Sequence, residues 1–190
     1  MTDTLALPFP IQTPRLSLRE MERPDTEQLQ IYHMDAEFRQ YEDPDDVYGE
    51  TFAELMESLL AERWRVPRRS FYLAITRNEW PSVAMGSIFV AIDEVHTGEI
   101  GYVMGKPYWG QGYATESAQA MLNFAFKTLR LQRVYAECHC ENIASKRVLE
   151  KAGMRHERVL SDHQFMRGRW WDTWVYGIRK PDWLVLYDTS

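Results

Sequence analysis

Apolar positions recur along this chain with two spacings, every second residue and every third to fourth, and these outline its elements. "RLSLRE", Arg15 to Glu20, alternates polar and apolar residues and predicts a strand. "RPDTEQLQIYHM" predicts a short helix with Asp25 as N-cap. "YEDPDDVYGE" carries Pro44 among its acids and predicts a loop. Phe52, Leu55, Met56, Leu59 and Leu60 then fall at helical spacing, a helix over 50–63. "SFYLAITR" (70–77) and "AMGSIFVAI" (84–92) read as strands joined through a turn at "NEWPS", a hairpin. After a second turn at "VHTG", "EIGYVMG" (99–105) is a third strand, in which Gly101 marks a bulge or a close backbone approach.

Two glycines, Gly110 and Gly112, then lead into a helix whose face is drawn by Ala114, Ala118, Met121, Leu122, Ala125, Phe126 and Leu129. "RVYAECHC" is a strand. Asn142 is placed to cap the helix "IASKRVLEKA", and Gly153 to end it. "MRHERVL" and "WWDTWVYGIRK" form a last strand pair. The order β-α-α-β-β-β-α-β-α-β-β interrupts an antiparallel run with helices, which predicts a mixed α/β sheet covered by helices.

The 190 residues suit a single domain spanning 1–190. With 45% hydrophobic and 26% charged residues the composition is globular. A net charge of −6 argues against a protein held to nucleic acid by bulk charge. No apolar run is long enough to span a bilayer, and "MTDTLALPFPIQTPR" lacks a signal-like core, so a cytoplasmic chain without membrane partners is expected.

A glycine turn at a helix N-terminus suits an anion, often a phosphate. It is not a P-loop: in "GKPYWGQG", Gln111 stands where the lysine belongs and Gly112 where Ser or Thr would hold magnesium. It is not a dinucleotide fingerprint either, because "GQGYAT" places Thr115 where a third glycine is needed. Cys138 and Cys140 flank His139, but no further pair completes a four-ligand set, so no metal is expected and the thiols read as reduced.

"EIGYVMGKPYWGQGYATESAQAMLNFAF", followed by "RVYAECHCENIASKRVLEKAGM", resembles the GNAT superfamily of acyl-CoA-dependent N-acetyltransferases. It is most similar to the RimJ/RimL branch, the ribosomal-protein N-terminal acetyltransferases and their relatives. "TPRLSLRE", "GSI" and "WWDTWVYGI" extend the likeness over most of the chain. The resemblance implies a GNAT fold: a mostly antiparallel twisted sheet, helices on both faces, and a central strand pair that splays. Acetyl-CoA is the implied cosubstrate. Its pantetheine arm would lie along Tyr102, Val103 and Met104, and its pyrophosphate over Gln111, Gly112, Tyr113, Ala114 and Thr115. Glycines let backbone N–H groups approach an anion, and the helix dipole favours it. Where the family loop often begins with Gln or Arg, this chain has Trp109.

Asn142 matches a family pantetheine contact, while a plain helix cap is the alternative. Many relatives carry a tyrosine acid where this chain has Leu149, which shifts the protonation of the leaving thiolate to Ser145. A first-turn helix serine is the other reading. Glu99 is the candidate base, acting on the amine through a water, or else a structural carboxylate. Backbone N–H groups of Val103 or Met104 would stabilise the oxyanion. The acceptor is expected to be an amine, either a peptide N-terminus or a small molecule. Trp170, Trp171 and Trp174 are candidates for an aromatic acceptor pocket, and "RWRVPRR" reads as a solvated helix end. A CoA-binding sensor or scaffold without turnover is the rival reading. Homodimerisation is left open.

Overall fold

The computed structural model describes residues 7, 9–41 and 50–187. The expected loop between Tyr41 and Glu50 therefore lies outside the described residues. Among the described residues, eight strands form one sheet in the order β1-β2-β3-β4-β5-β6-β8-β7. They are β1 (Ile11–Gln12), β2 (Leu16–Glu20), β3 (Ser70–Arg77), β4 (Trp80–Glu94), β5 (Thr97–Met104), β6 (Arg133–His139), β7 (Arg155–Met166) and β8 (Arg169–Arg179). Every neighbouring pair is antiparallel except β5 and β6, which are parallel.

Alternation along the strands sends one set of side chains to each face. On one face Leu16, Leu18, Leu73, Ile75, Ile88, Val90, Ile100 and Val134 pack with Met121, Leu122 and Leu149. Those last three come from α3 (Tyr113–Asn123) and α4 (Ile143–Lys151). On the other face Ala74 and Ala84 pack under Leu29, Phe52 and Met56, from α1 (Arg23–His33) and α2 (Glu50–Glu62). The expected architecture is present: a mostly antiparallel sheet with helices on both faces.

Local readings are refined at several points. Asp25 is not the N-cap of α1. That place is held by Glu22, whose backbone N–H donates to Asp25 Oδ2 at 2.8 Å, while Asp25 is buried against Arg19 at 2.7 Å. No bulge forms at Gly101, which pairs in register with Phe89. A Cβ there would fall on the Phe89 ring, so the close approach is by a side chain. The bulges of β4 lie instead near Ala84 and Ile92. "NEWPS" is mostly strand, because Trp80 already pairs with Arg77. Asn142 does cap α4, accepting the Ser145 backbone N–H at 2.9 Å. Gly153, at φ 85°, ends the helix as expected.

α3 runs into a π-helical turn over Phe124–Thr128, closed by the Leu129 N–H on the Phe124 carbonyl at 3.1 Å. The wider turn buries Phe124, Ala125 and Phe126 in succession. The outer half of β7 and all of α5 (Lys180–Tyr187) escape the sequence pattern. β7 is an edge strand with nearly every residue exposed, and α5 is held by Trp183, buried against Phe126. Arg68 is no solvated helix-end cation. It pairs with Glu20 at 2.7 Å and lies over the Phe71 ring.

Candidate active site

β5 and β6 pair over only three rungs, Thr97 with Arg133, Gly98 with Val134 and Glu99 with Tyr135. β5 then continues to Met104 beside β4, while β6 continues to His139 beside β8. Two parallel strands that stop pairing midway leave backbone groups on both inner edges without sheet partners. A cavity of about 250 Å³ opens there, lined among others by Glu99, Gly101, Tyr102, Val103, Glu137 and Ser145. An extended arm laid along β5 could take up those backbone groups as an added strand would.

The ladder decides which groups face the opening. The Gly105 N–H donates to the Met85 carbonyl at 2.8 Å, and Val103 stands opposite Ser87. Alternation therefore turns the Val103 N–H toward β4, and those of Tyr102 and Met104 toward the gap. The Met104 carbonyl, on that outward side, accepts the Trp109 indole N–H at 2.5 Å. Trp109 thus braces the end of β5.

The glycine turn follows at once. Gly110 and Gly112 sit at φ 71° and 81°, a left-handed backbone that other residues adopt only with strain. Gly112 is the N-cap of α3, and its carbonyl accepts the Glu116 N–H at 3.0 Å. The N–H groups of the first turn, from Tyr113 to Thr115, have no intrahelical acceptor and point along the dipole's positive end. Arg15, just before β2, donates to the Gln111 carbonyl at 3.0 Å and lies over the Tyr113 ring. A Cβ on Gly112 would come within 3.4 Å of that guanidinium. A glycine cradle, a helix N-terminus and an open strand edge in continuity fit a diphosphate carrying a long arm, as in CoA.

Four of the sequence candidates, Glu99, Tyr102, Val103 and Ser145, line the opening. Glu99 and Glu137 line one side, and Tyr102 and Ser145 meet at the other, with hydroxyls 2.9 Å apart. Burial, then Glu137, then Asp93 push the Glu99 carboxyl above its ordinary value. Burial pushes the Cys138 thiol up to about 11, although the neighbouring Ser145 hydroxyl works against the shift. Leu149 is 1% exposed and packed in the core. Cys138 and Cys140 are free thiols, and no group of three or more His, Cys, Asp or Glu among the described residues is placed to hold a metal.

Trp170, Trp171 and Trp174 do not line this cavity. Trp171 is buried beside His139, Trp170 packs on Phe165 at the surface, and Trp174 lies near Lys146. Sequence reasoning misses Arg15, Glu137 and the Tyr102 hydroxyl. Glu137 alternates outward from the apolar Val134, Ala136 and Cys138, a signal without meaning until β6 is set beside Glu99.

Residues 15–155 match the acetyltransferase (GNAT) domain family. The chain belongs to the GNAT acetyltransferase family. Members use acetyl-CoA, and this GNAT chain is an N-acetyltransferase by descent. It is 34% identical over 174 residues to the uncharacterized N-acetyltransferase YnaD of Bacillus subtilis, covering 91% of this chain and 98% of that one. The crystal structure of a GNAT-family acetyltransferase from Bacillus anthracis superposes with a TM-score of 0.78 at 30% identity, covering 90% and 98% of the two chains. Mycobacterium smegmatis RimJ in complex with CoA-disulfide shares the fold at a TM-score of 0.76 and 18% identity, over 91% of this chain and 89% of RimJ. No helix among the described residues of this GNAT chain is long and apolar enough to cross a membrane.

Proposed function

We propose that this chain transfers an acetyl group from acetyl-CoA to a primary amine, a protein N-terminal α-amine or a small-molecule amine, by direct attack within a ternary complex. One observation carries the reading: the gap between β5 and β6 places a carboxylate pair, Glu99 and Glu137, opposite a hydroxyl pair, Tyr102 and Ser145, around one cavity. Acetyl-CoA supplies the acetyl group as a thioester. Gln111, Gly112, Tyr113, Ala114 and Thr115 would hold its pyrophosphate. The open edge of Tyr102 to Met104 would hold its arm, and the amide of Asn142, whose oxygen caps α4, keeps its N–H₂ for that arm.

Glu99 takes the proton that the amine must lose, directly or through one water. Its raised pKa makes it a better base than an exposed glutamate. An α-amine near pKa 8 needs only this modest help, whereas a lysine near pKa 10.4 needs more. The Met104 N–H, turned into the gap, is positioned to stabilise negative charge on the carbonyl oxygen. Ser145 donates to the departing sulfur. Direct attack is favoured over a covalent enzyme intermediate because Cys138, the thiol beside Ser145, is buried and held protonated at neutral pH.

Proteins of this fold include a ribosomal-protein-S5-alanine acetyltransferase from Vibrio fischeri and a spermidine N-acetyltransferase from Vibrio cholerae. The fold therefore accommodates acceptors of very different size. Two carboxylates in the cavity favour a cationic amine in either class. The test is free-CoA release from acetyl-CoA, measured across a panel pairing peptides that have free N-termini with small amines. Amine-dependent release supports the reading. CoA binding without release for every amine makes the chain a CoA-binding module instead.

A further inference from the structure

The Tyr102 hydroxyl has two acceptors within reach on one residue of another element. Tyr102 Oη lies 2.9 Å from Ser145 Oγ and 3.1 Å from the Ser145 carbonyl oxygen. Tyr102 is on β5 and Ser145 in the first turn of α4, so the contact spans the opening where the strands part. Both residues line the cavity, and α4 carries no second hydroxyl. The one proton of a phenol can satisfy either acceptor. When it goes to Ser145 Oγ, the serine's own proton is free to point elsewhere. When it goes to the carbonyl, the serine proton can turn back to the phenol oxygen.

We propose that Tyr102 is a positioning residue whose O–H, by occupying Ser145 Oγ, directs the Ser145 proton at the sulfur that departs in acetyl transfer. This rests on the acetyl-transfer reading above. As the carbon–nitrogen bond forms and the carbon–sulfur bond breaks, the bonding pair moves onto sulfur. Ser145 gives its proton to that pair, and Tyr102 replaces the proton on Ser145. The proton shed by the acceptor nitrogen leaves through Glu99 and water, and solvent restores Tyr102. The sum is amine plus thioester giving amide plus thiol. Burial holds the phenol above its ordinary pKa, so the O–H is intact throughout the working pH range. The arrangement supplies from β5 the hydroxyl that α4 lacks at Leu149.

Tyr102→Phe keeps the ring and removes only the hydroxyl. Two measurements test it against the parent chain, Ser145→Ala and the double variant. The first is steady-state kinetics. The expected result for Tyr102→Phe is a kcat lower by up to about 10-fold, no more than the loss in Ser145→Ala, with KM for acetyl-CoA and melting temperature unchanged. The double variant should be no slower than Ser145→Ala. The second is calorimetric titration of free CoA from pH 6 to 10, with desulfo-CoA as control. A donor aimed at sulfur makes parent affinity for CoA, but not for desulfo-CoA, rise as the thiol ionises. Tyr102→Phe should flatten that rise. Parent-like kcat together with a parent-like titration in Tyr102→Phe overturns the proposal, as does a double variant whose losses multiply. A raised KM at unchanged kcat makes Tyr102 a binding contact only and also overturns it. If the parent releases no CoA with any amine, the acetyl-transfer reading falls, and the step proposed here falls with it. The CoA titration then still reports whether the hydroxyl pair faces the sulfur.

Discussion

Arg15 grips Glu116 with Nε and Oε2 2.6 Å apart, tying the start of β2 to the first turn of α3. Glu116 also accepts the Thr13 hydroxyl at 2.6 Å and the Arg15 backbone N–H at 3.0 Å. The same guanidinium holds the Gln111 carbonyl. The glycine loop is therefore fixed from outside by residues about a hundred positions earlier. Glu116→Gln should weaken CoA binding about 3- to 10-fold, up to roughly 1.4 kcal/mol, by loosening the loop rather than by removing a ligand contact. Calorimetry on this variant and on Arg15→Ala should give similar losses. Parent-like affinity in both would show that the loop stands unaided.

The same carboxyl gives a stability signature. Burial raises its pKa, but Thr13 and Arg15 outweigh burial and leave Glu116 below its ordinary value. A carboxyl depressed in the folded state contributes stability above its unfolded pKa and loses it as pH falls through the folded one. The parent should therefore lose melting temperature more steeply than Glu116→Gln as pH falls below about 4.5. Parallel melting curves across that window would contradict the assignment.

Gly112→Ala and Gly110→Ala separate strain from function. Both glycines are left-handed, so each alanine costs about 1–2 kcal/mol of backbone strain. Only Gly112 caps α3. Gly112→Ala should lower CoA affinity at least about 10-fold, roughly 1.4 kcal/mol, and Gly110→Ala much less. Equal affinities would remove Gly112 from the phosphate site.

Glu99→Gln should lower kcat/KM by about 10²-fold, with the loss shrinking at high pH, where the amine deprotonates unaided. Parallel pH–rate profiles would make Glu99 structural. Its stability effect has the opposite sign to that of Glu116. A carboxyl raised in the folded state contributes stability below its unfolded pKa and loses it as pH rises through the folded one. The variant should melt higher than the parent at pH 8 and equally at pH 4.

Ser145→Ala should slow turnover by about 10- to 10²-fold, the low end of acid catalysis, and leave CoA binding nearly intact. The Asn142 cap survives, because it takes the Ser145 backbone N–H. Leu149→Tyr should not rescue the loss, since it forces a ring into a core position that is 1% exposed. Full activity in Ser145→Ala would make it a helix-start residue only.

Most elements were legible because their causes are local. Asn142 caps its helix by taking a backbone N–H three residues on, Gly153 ends it with a left-handed turn, and the apolar spacing of Ala118, Met121 and Leu122 marks the buried face of α3 within its own turns. Gly112 followed from the same logic, a turn conformation that needs no partner. α5 and the outer half of β7 were not legible, because the first depends on Trp183 finding Phe126 and the second on backbone pairing with β8 alone. The chemistry of the gap divides in the same way. Glu99 and Ser145 could be named from motif position. That Glu137 shares the cavity with Glu99, that Tyr102 meets Ser145 across 43 positions, and that Arg15 reaches Glu116 across 101 depend on strand order and on where β5 and β6 stop pairing. A sequence window registers periodicity and turn chemistry within a few residues, whereas contacts between distant segments exist only once the sheet has set its register.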